Sequence, residues 1–277
     1  MEDIFNKASS AAQYIELKIN KIPTIALSLG TGSSILLDKV HIEARIPYSD
    51  IPHFPHSTVA THVNELIVAS IGSVPVFILA GRMHYYEGWS TKELTFPVRV
   101  MQALKVNKLL LSNAAGALNP SYTQGEIILL KDHINLMPDH PLRGKNDERL
   151  GLRFPDMSKG YSASLREMVK MDHAEIKEGV YVGFQGPSLE TPAEYKMLHI
   201  IGGDLVGMST VPEVIVANHA EMDVLVFSIA TNICYPPENI TETTLEEVVE
   251  VANQSSVKLV KLVELLLKRI NSNQAES

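Results

Sequence analysis

Val76-Phe77-Ile78-Leu79-Ala80, running directly into Gly81-Arg82-Met83-His84-Tyr85-Tyr86-Glu87-Gly88, is the stretch that decides the fold. No polar residue interrupts the first five positions, so a strand there is apolar on both faces. Such strands belong to sheets covered by helices on either side. Short apolar runs recur at residues 25–28, 66–69, 108–112, 126–130, 180–184, 204–206 and 224–231, several of them apolar on both faces. Amphipathic segments at 2–20, 91–103, 163–175, 192–201, 211–222 and 244–270 read as helices, the last with Leu262, Leu265 and Leu266 on one expected buried stripe. No repeat, low-complexity linker or change in composition divides the chain. The expectation is one α/β domain over residues 1–277, its central sheet flanked by helices. The Pro-, Gly-, Asp- and Arg-rich segment 138–160 is the one long irregular stretch, and such loops are more often functional than accidental.

If the backbone stays extended past Ala80, Arg82, His84 and Tyr86 share one face and Met83 and Tyr85 the other. A guanidinium, an imidazole and a phenol side by side suit a tetrahedral oxyanion with a ring next to it. Arg offers several fixed donors to such an anion and His adds one. The chain has 277 residues, 45% apolar and 20% charged, an ordinary globular composition. Its formal charge of −8 argues against a nucleic acid partner, which selects basic stripes. An anionic ligand must then be captured by local donors against the global field. One cysteine, Cys234, excludes an intrachain disulfide framework and a cysteine zinc site, which fits a reducing cytoplasm. The opening MEDIFNKASS lacks a basic segment followed by an apolar core, and no apolar stretch reaches bilayer length, so neither a secretory signal nor a membrane span is expected.

Two helix starts add detail. Thr210-Val211-Pro212-Glu213 and Thr191-Pro192-Ala193-Glu194 both carry Thr at a cap, Pro near the first turn and Glu three residues on. Capping accounts for Thr191, Glu194, Thr210 and Glu213. It does not require Ser209, at the positive end of a helix, or Glu190. Leu29-Gly30-Thr31-Gly32-Ser33-Ser34 resembles a glycine-rich anion loop, without the third glycine of a dinucleotide fingerprint or the Gly-Lys of a Walker loop. Asn113-Ala114-Ala115-Gly116-Ala117 closes another strand with small residues that admit a ligand close to the backbone, or allow tight packing. Other chemistries fit poorly. His53, His56 and His62, and Asp132, His133, Asp139 and His140, lack metal-ligand spacing. Gly207-Met208-Ser209-Thr210-Val211 lacks the second glycine of a nucleophile elbow. Cys234 has neither base nor cation beside it in sequence and reads as a buried structural thiol.

Together, Arg82-Met-His84-Tyr-Tyr86-Glu87-Gly88, Asn113-Ala-Ala-Gly116, Asp132-His-Ile-Asn135, Asn146-Asp-Glu-Arg149, Arg153-Phe154-Pro155, Gly186-Pro-Ser-Leu-Glu190-Thr191, Val206-Gly-Met-Ser209-Thr-Val-Pro-Glu213 and Thr231-Asn232 form a pattern. In order and spacing it resembles the trimeric purine nucleoside phosphorylases, from about Pro23 to the C-terminal helix. The resemblance implies that family's fold, a mixed, largely parallel twisted sheet between helices. It also implies reversible phosphorolysis in purine salvage: purine nucleoside plus inorganic phosphate gives free base and ribose 1-phosphate. Phosphate is then a co-substrate, with no cofactor and no metal. By the family pattern Arg82, His84, Ser209, His62, the backbone near Ala114 and the Thr31 hydroxyl hold phosphate, Thr31 standing where Ser is usual. Tyr86 and Met208 line the ribose, and Phe154 enters the neighbouring subunit's pocket in a homotrimer. Glu190 and Asn232 read the purine and, with His84, make up the catalytic set.

Three departures bear on substrate. Leu189 stands where a base-contacting aromatic is common, and Ile233 where some members have Lys. Leu245 aligns, across a one-residue gap, with a His that many members place on the ribose 5′-hydroxyl. An apolar wall there suits a 5′-deoxy or 5′-methylthio group, which keeps 5′-methylthioadenosine phosphorylase as an alternative on the same fold. A non-catalytic nucleoside-binding module is a third.

Overall fold

The computed structural model describes residues 3–30, 33–59 and 62–275. Its centre is a nine-stranded sheet, β1 (Ile25–Ser28), β2 (His41–Pro47), β3 (Glu65–Ile71), β4 (Val74–Ala80), β5 (Lys108–Ala117), β6 (Ile127–Asn135), β7 (Glu178–Gly183), β8 (Leu205–Gly207) and β9 (Asp223–Ile233), in the order β2-β3-β4-β1-β5-β8-β7-β6-β9. Parallel pairings join β1 to β4 and β5, β5 to β9, and β7 to β6 and β8; the others are antiparallel. Because β9 also returns to β5, the strands β5, β8, β7, β6 and β9 close into a ring, and β1, β4, β3 and β2 extend from it as a wing.

Helices α1 (Ile4–Glu16), α2 (Thr91–Leu94), α3 (Phe96–Ala103), α4 (Ala163–Asp172), α5 (Pro192–Ile200), α6 (Val211–His219) and α7 (Leu245–Ala275) surround the sheet. The apolar faces of α1, α3 and α6 pack on one side with Phe77, Leu79 and Val226. On the other side α4 and α7 pack on Ile67, Ile78 and Phe227. Burial on both sides explains why the central strands carry almost no polar residues. Among the described residues no helix is long and apolar enough to cross a membrane.

The expected elements are present, with instructive differences. Strand β2 was not anticipated, because His41-Ile-Glu-Ala-Arg-Ile-Pro47 is polar and ends in proline; it lies at the sheet edge, where such residues block further pairing. The helix expected over 91–103 breaks at Thr95 (φ −96°, ψ 0°), so Pro97 falls in the first turn of α3 instead of a helix interior. On α7 the buried stripe is Leu259, Leu262, Val263, Leu266 and Ile270, while Leu265 faces out. Strands β5, β6 and β9 run several residues further than expected. Asn113–Ala117 therefore lies inside a strand.

Candidate active site

The chain does not stay extended beyond β4. Gly81, at φ +148°, turns the backbone, its carbonyl accepting from the Tyr48 hydroxyl at 3.0 Å. His84 is extended, and Tyr85–Glu87 then forms a 3₁₀ turn. The alternation expected for Arg82, His84 and Tyr86 thus fails as a strand, yet all three line one cavity while Met83 enters the core. His84 stacks on Tyr86 with ring centroids 4.8 Å apart and on His62 at 5.6 Å.

The cavity has a volume of about 460 Å³, well within the range of small-molecule sites. Its floor is the C-terminal part of β5 and β9, contributing Asn113, Ala114, Ala115, Gly116, Thr231 and Asn232. A β-bulge sets the last two. Ala115 pairs with Ala230 and Gly116 with Asn232, so Thr231 is an extra residue that lets two consecutive side chains reach one cavity. Glycine is required at Gly116, because a Cβ there would lie 2.4 Å from the Cys234 sulfur. Leu189, Glu190, Met208, Ser209 and Leu245 form other parts of the wall.

At one end lies Arg82, only 4% exposed. Its Nε is ion-paired to Glu213 at 2.8 Å, Nη1 donates to the Ser112 carbonyl at 2.9 Å, and Nη2 reaches Ser28 Oγ at 3.4 Å. Ser28 Oγ also donates to Glu213, at 3.1 Å. Glu213 is therefore no helix cap; it is the buried counter-charge of Arg82. Gly30 crosses over this guanidinium, where a Cβ would come within 2.5 Å of the Ser112 carbonyl. Thr31, the expected phosphate hydroxyl, lies outside the described residues.

Thr210 makes no cap either. It sits at φ 70°, ψ −55°, the centre of a γ-turn closed by Val211 N–H on the Ser209 carbonyl at 2.7 Å. That conformation is strained for a β-branched residue. Asn113 Nδ2 donates to its hydroxyl at 2.8 Å and Ser209 Oγ lies 3.1 Å from it, so the strain is held by hydrogen bonds and fixes Ser209 at the cavity wall. By contrast Thr191 and Glu194 do form the expected capping box at the start of α5.

Glu87 organises the imidazoles. It accepts from His84 N–H at 2.7 Å, from Thr58 N–H at 2.5 Å and from the Thr58 hydroxyl at 2.7 Å, and its Oε1 lies 3.0 Å from His84 Nδ1. Burial alone would raise the Glu87 carboxyl, but these hydrogen bonds win and hold it down at about 2. His62 is held at about 4, first by burial and then by His84 and Arg82. It is therefore neutral at pH 7; its Nδ1 accepts from Arg82 N–H at 3.3 Å, which leaves the hydrogen on Nε2, a buried donor without a partner.

The other end holds Glu190 and Asn232. Burial raises the Glu190 carboxyl, and its Oε1 has no hydrogen-bond partner. Asn232 accepts at Oδ1 from Thr231 Oγ1 at 3.2 Å and donates through Nδ2 to Cys234 Sγ at 3.1 Å. Cys234 is buried as expected, its thiol pushed up to about 12 by burial. Phe154 is not part of this cavity. It is 86% exposed, beside the Arg153 guanidinium, on a separate hollow with His140 and Met157. Tyr195, also on the cavity wall, carried no signal in sequence, since Thr191-Pro-Ala-Glu-Tyr195 reads as an ordinary first helical turn. Among the described residues no three His, Cys, Asp or Glu side chains gather as a metal site.

A family model described as the phosphorylase superfamily matches residues 24–268. Purine nucleoside phosphorylase 1 of Geobacillus stearothermophilus is 44% identical over 270 residues, covering 95% of this chain and 97% of that protein. The purine nucleoside phosphorylase of Bos taurus is 41% identical, covering 90% and 89%. The crystal structure of isoform 2 of purine nucleoside phosphorylase from Schistosoma mansoni, in complex with cytosine and ribose-1-phosphate, superposes with a TM-score of 0.89 at 38% identity, over 95% of this chain and 96% of that one. With its sheet, its cavity and these likenesses in agreement, the chain belongs to the phosphorylase superfamily and, within it, to the purine nucleoside phosphorylases.

Proposed function

We propose that this chain catalyses reversible phosphorolysis of purine nucleosides, preferring 6-oxopurines such as inosine and guanosine, in cytoplasmic purine salvage. One observation carries the reading: a single cavity has the buried Arg82 cation and the Ser209 hydroxyl at one end and an unpartnered carboxylate oxygen, Glu190 Oε1, at the other. A buried acceptor without a donor is costly. The N1 hydrogen of hypoxanthine or guanine supplies that donor, and adenine has none.

Phosphate lies against Arg82, His84, Ser209 and the backbone at Ala114, with His62 beside it; the family pattern adds the Thr31 hydroxyl. Tyr86 and Met208 flank the ribose. A phosphate oxygen attacks C1′ as the C1′–N9 bond breaks, and the bonding pair leaves with the base. Positive charge builds on the sugar and negative charge on the purine. Bound phosphate offsets the first, so no protein nucleophile is involved. Asn232 donates to the O6 and N7 edge and stabilises the second, a kind of interaction worth roughly a hundred- to a thousandfold in rate. Glu87 takes the Nδ1 side of His84, which turns Nε2 toward the ligand. Leu189 packs on the base without the edge contact an aromatic would make. Phe154 serves the pocket of a neighbouring copy in a homotrimer, which accounts for so exposed an aromatic.

Leu245 supports a second reading. It lies on the cavity wall, where an apolar side chain suits the methylthio group of 5′-methylthioadenosine. Glu190 opposes it, since adenine cannot donate from N1. Incubation with inosine, guanosine, adenosine and methylthioadenosine, with and without phosphate, tests both. Release of hypoxanthine and guanine only when phosphate is present is the expected result. Release from methylthioadenosine alone favours the second reading, and binding without product reduces the protein to a nucleoside-binding module.

A further inference from the structure

Behind the anion end of the cavity, a line of buried hydrogen bonds runs from β9 to the cavity wall. The register of β9 on β5 sets Ser228 beside Asn113, and the Ser228 hydroxyl donates to Asn113 Oδ1 at 2.5 Å. Asn113 Nδ2 donates to Thr210 Oγ1 at 2.8 Å, and Ser209 Oγ lies 3.1 Å from that hydroxyl. Ser228, Asn113 and Thr210 are all fully buried, and Ser209 ends the line on the cavity wall. Ser228 stands behind that wall and not on it.

Resting on the phosphorolysis reading above, we propose that Ser228, Asn113 and Thr210 are positioning residues that commit the hydroxyl hydrogen of Ser209 to the phosphate. A carboxamide by itself is ambivalent, because rotation by half a turn exchanges its donor and acceptor. Distance resolves Asn113. A separation of 2.5 Å suits O–H···O and is too short for N–H···O, so Asn113 turns its oxygen to Ser228 and its NH₂ to Thr210. Thr210 then accepts, and its own hydrogen needs an acceptor. Among the described residues the one remaining neighbour of that hydroxyl is Ser209 Oγ. Were Ser209 to donate to Thr210 instead, the Thr210 hydrogen would be buried without a partner, which is costly. Thr210 therefore donates to Ser209.

Every hydrogen in the line thus points from β9 toward the cavity. An isolated serine hydroxyl can meet an anion with its hydrogen or with its lone pairs, and only the first attracts. Here the Ser209 oxygen is engaged by Thr210, and its hydrogen is left for a phosphate oxygen at the wall. The strained turn serves the same end, since φ 70° at Thr210 holds its hydroxyl between Asn113 and Ser209. Each bond in such a chain polarises the next, which makes the last hydrogen a stronger donor. Ser209 supplies the contact; the three residues behind it supply its direction.

Thr210→Val, which keeps the branched shape and loses the hydroxyl, Thr210→Ser and Ser228→Ala test this, with phosphate KM, inosine KM and calorimetric phosphate affinity as readouts. Phosphate KM is expected to rise about tenfold in Thr210→Val and about fivefold in Ser228→Ala, the size of one broken buried hydrogen bond. Thr210→Ser keeps the line intact and stays within about twofold of wild type, as does inosine KM in all three variants. Unchanged phosphate KM in either Thr210→Val or Ser228→Ala overturns the proposal, as does a Ser variant as poor as the Val variant. So does an inosine KM that rises in step with phosphate KM, which marks a displaced β9 and not a misdirected hydroxyl. Should Thr210→Val fail to fold, Ser228→Ala decides alone. A wild-type protein that releases no hypoxanthine from inosine and phosphate refutes the functional reading instead, and the calorimetric phosphate affinities of the same variants still judge the line.

Discussion

The two ends of the cavity are built on opposite plans. At the anion end the main polar groups are anchored by protein partners, and His62 Nε2 alone among those described there is left as an unpartnered donor. Arg82 is ion-paired to Glu213 and bonded to the Ser112 carbonyl, His84 leans on Glu87, and Ser209 is held by a strained turn that Asn113 pins. At the base end Glu190 Oε1 has no partner, and the neighbouring Leu189 and Leu245 are substantially exposed. The first end is preorganised and rigid, and an arriving anion meets donors already aimed. The second is incomplete until a ligand supplies a hydrogen. Preorganised donors favour turnover, whereas an unsatisfied buried group discriminates between ligands that can and cannot satisfy it.

The contrast is broken most severely at Glu213. Glu213→Gln leaves the Arg82 cation buried without its counter-charge, which costs about 3 to 5 kcal/mol. Thermal unfolding should show a midpoint lowered by roughly 6 to 15 °C; a shift under about 2 °C means the ion pair is not what holds that end. At the base end, Asn232→Asp should leave unfolding nearly untouched and cut inosine kcat/KM by roughly a hundredfold, with 6-aminopurine nucleosides gaining in relative terms. An unaltered preference counts against Asn232 as a reader of the base.

A pH titration sharpens the comparison. His62 is held at about 4 against an ordinary 6.5, so as pH falls the unfolded chain takes up the proton first. Its contribution to stability is intact above pH 6.5 and drains away between 6.5 and 4. His219, held at about 4 by burial and by Arg99, adds to the same decline. The unfolding midpoint should drop across this window, and His62→Gln should remove roughly 2 to 3 kcal/mol of the dependence. A His62→Gln curve parallel to wild type places the titration elsewhere. The smallest effect belongs to Leu245→His, at an exposed rim. It should favour inosine over 5′-deoxyinosine by only a few-fold relative to wild type, in keeping with a single solvent-accessible hydrogen bond. A change of a hundredfold shows that the rim is far less open than its exposure suggests.

Much of this architecture was legible because burial leaves a mark on composition. Strands covered on both faces, such as Val74–Ala80, carry an apolar run that no surface segment needs. The site was legible in part, through short motifs such as Arg82-Met-His84 and Gly186-Pro-Ser-Leu-Glu190. What sequence spacing did not reveal depends on contacts between distant segments. Thr210 and Glu213 have the spacing of a helix cap, and only the fold shows that one is bent into a γ-turn and the other spent on Arg82. The bulge at Thr231 has no local signature, since it arises from the register of β9 on β5. Strand β2 was missed for the converse reason: an edge strand is selected for polarity.

Strand β5 belongs to the wing and to the closed ring at once, with β9 along one edge and first β1, then β8, along the other. A strand clamped on both sides transmits a push instead of yielding to it. The floor of the cavity therefore acts as an anvil for the ligand, whereas Thr243 and Thr244, in the span between β9 and α7, line the cavity without belonging to any strand.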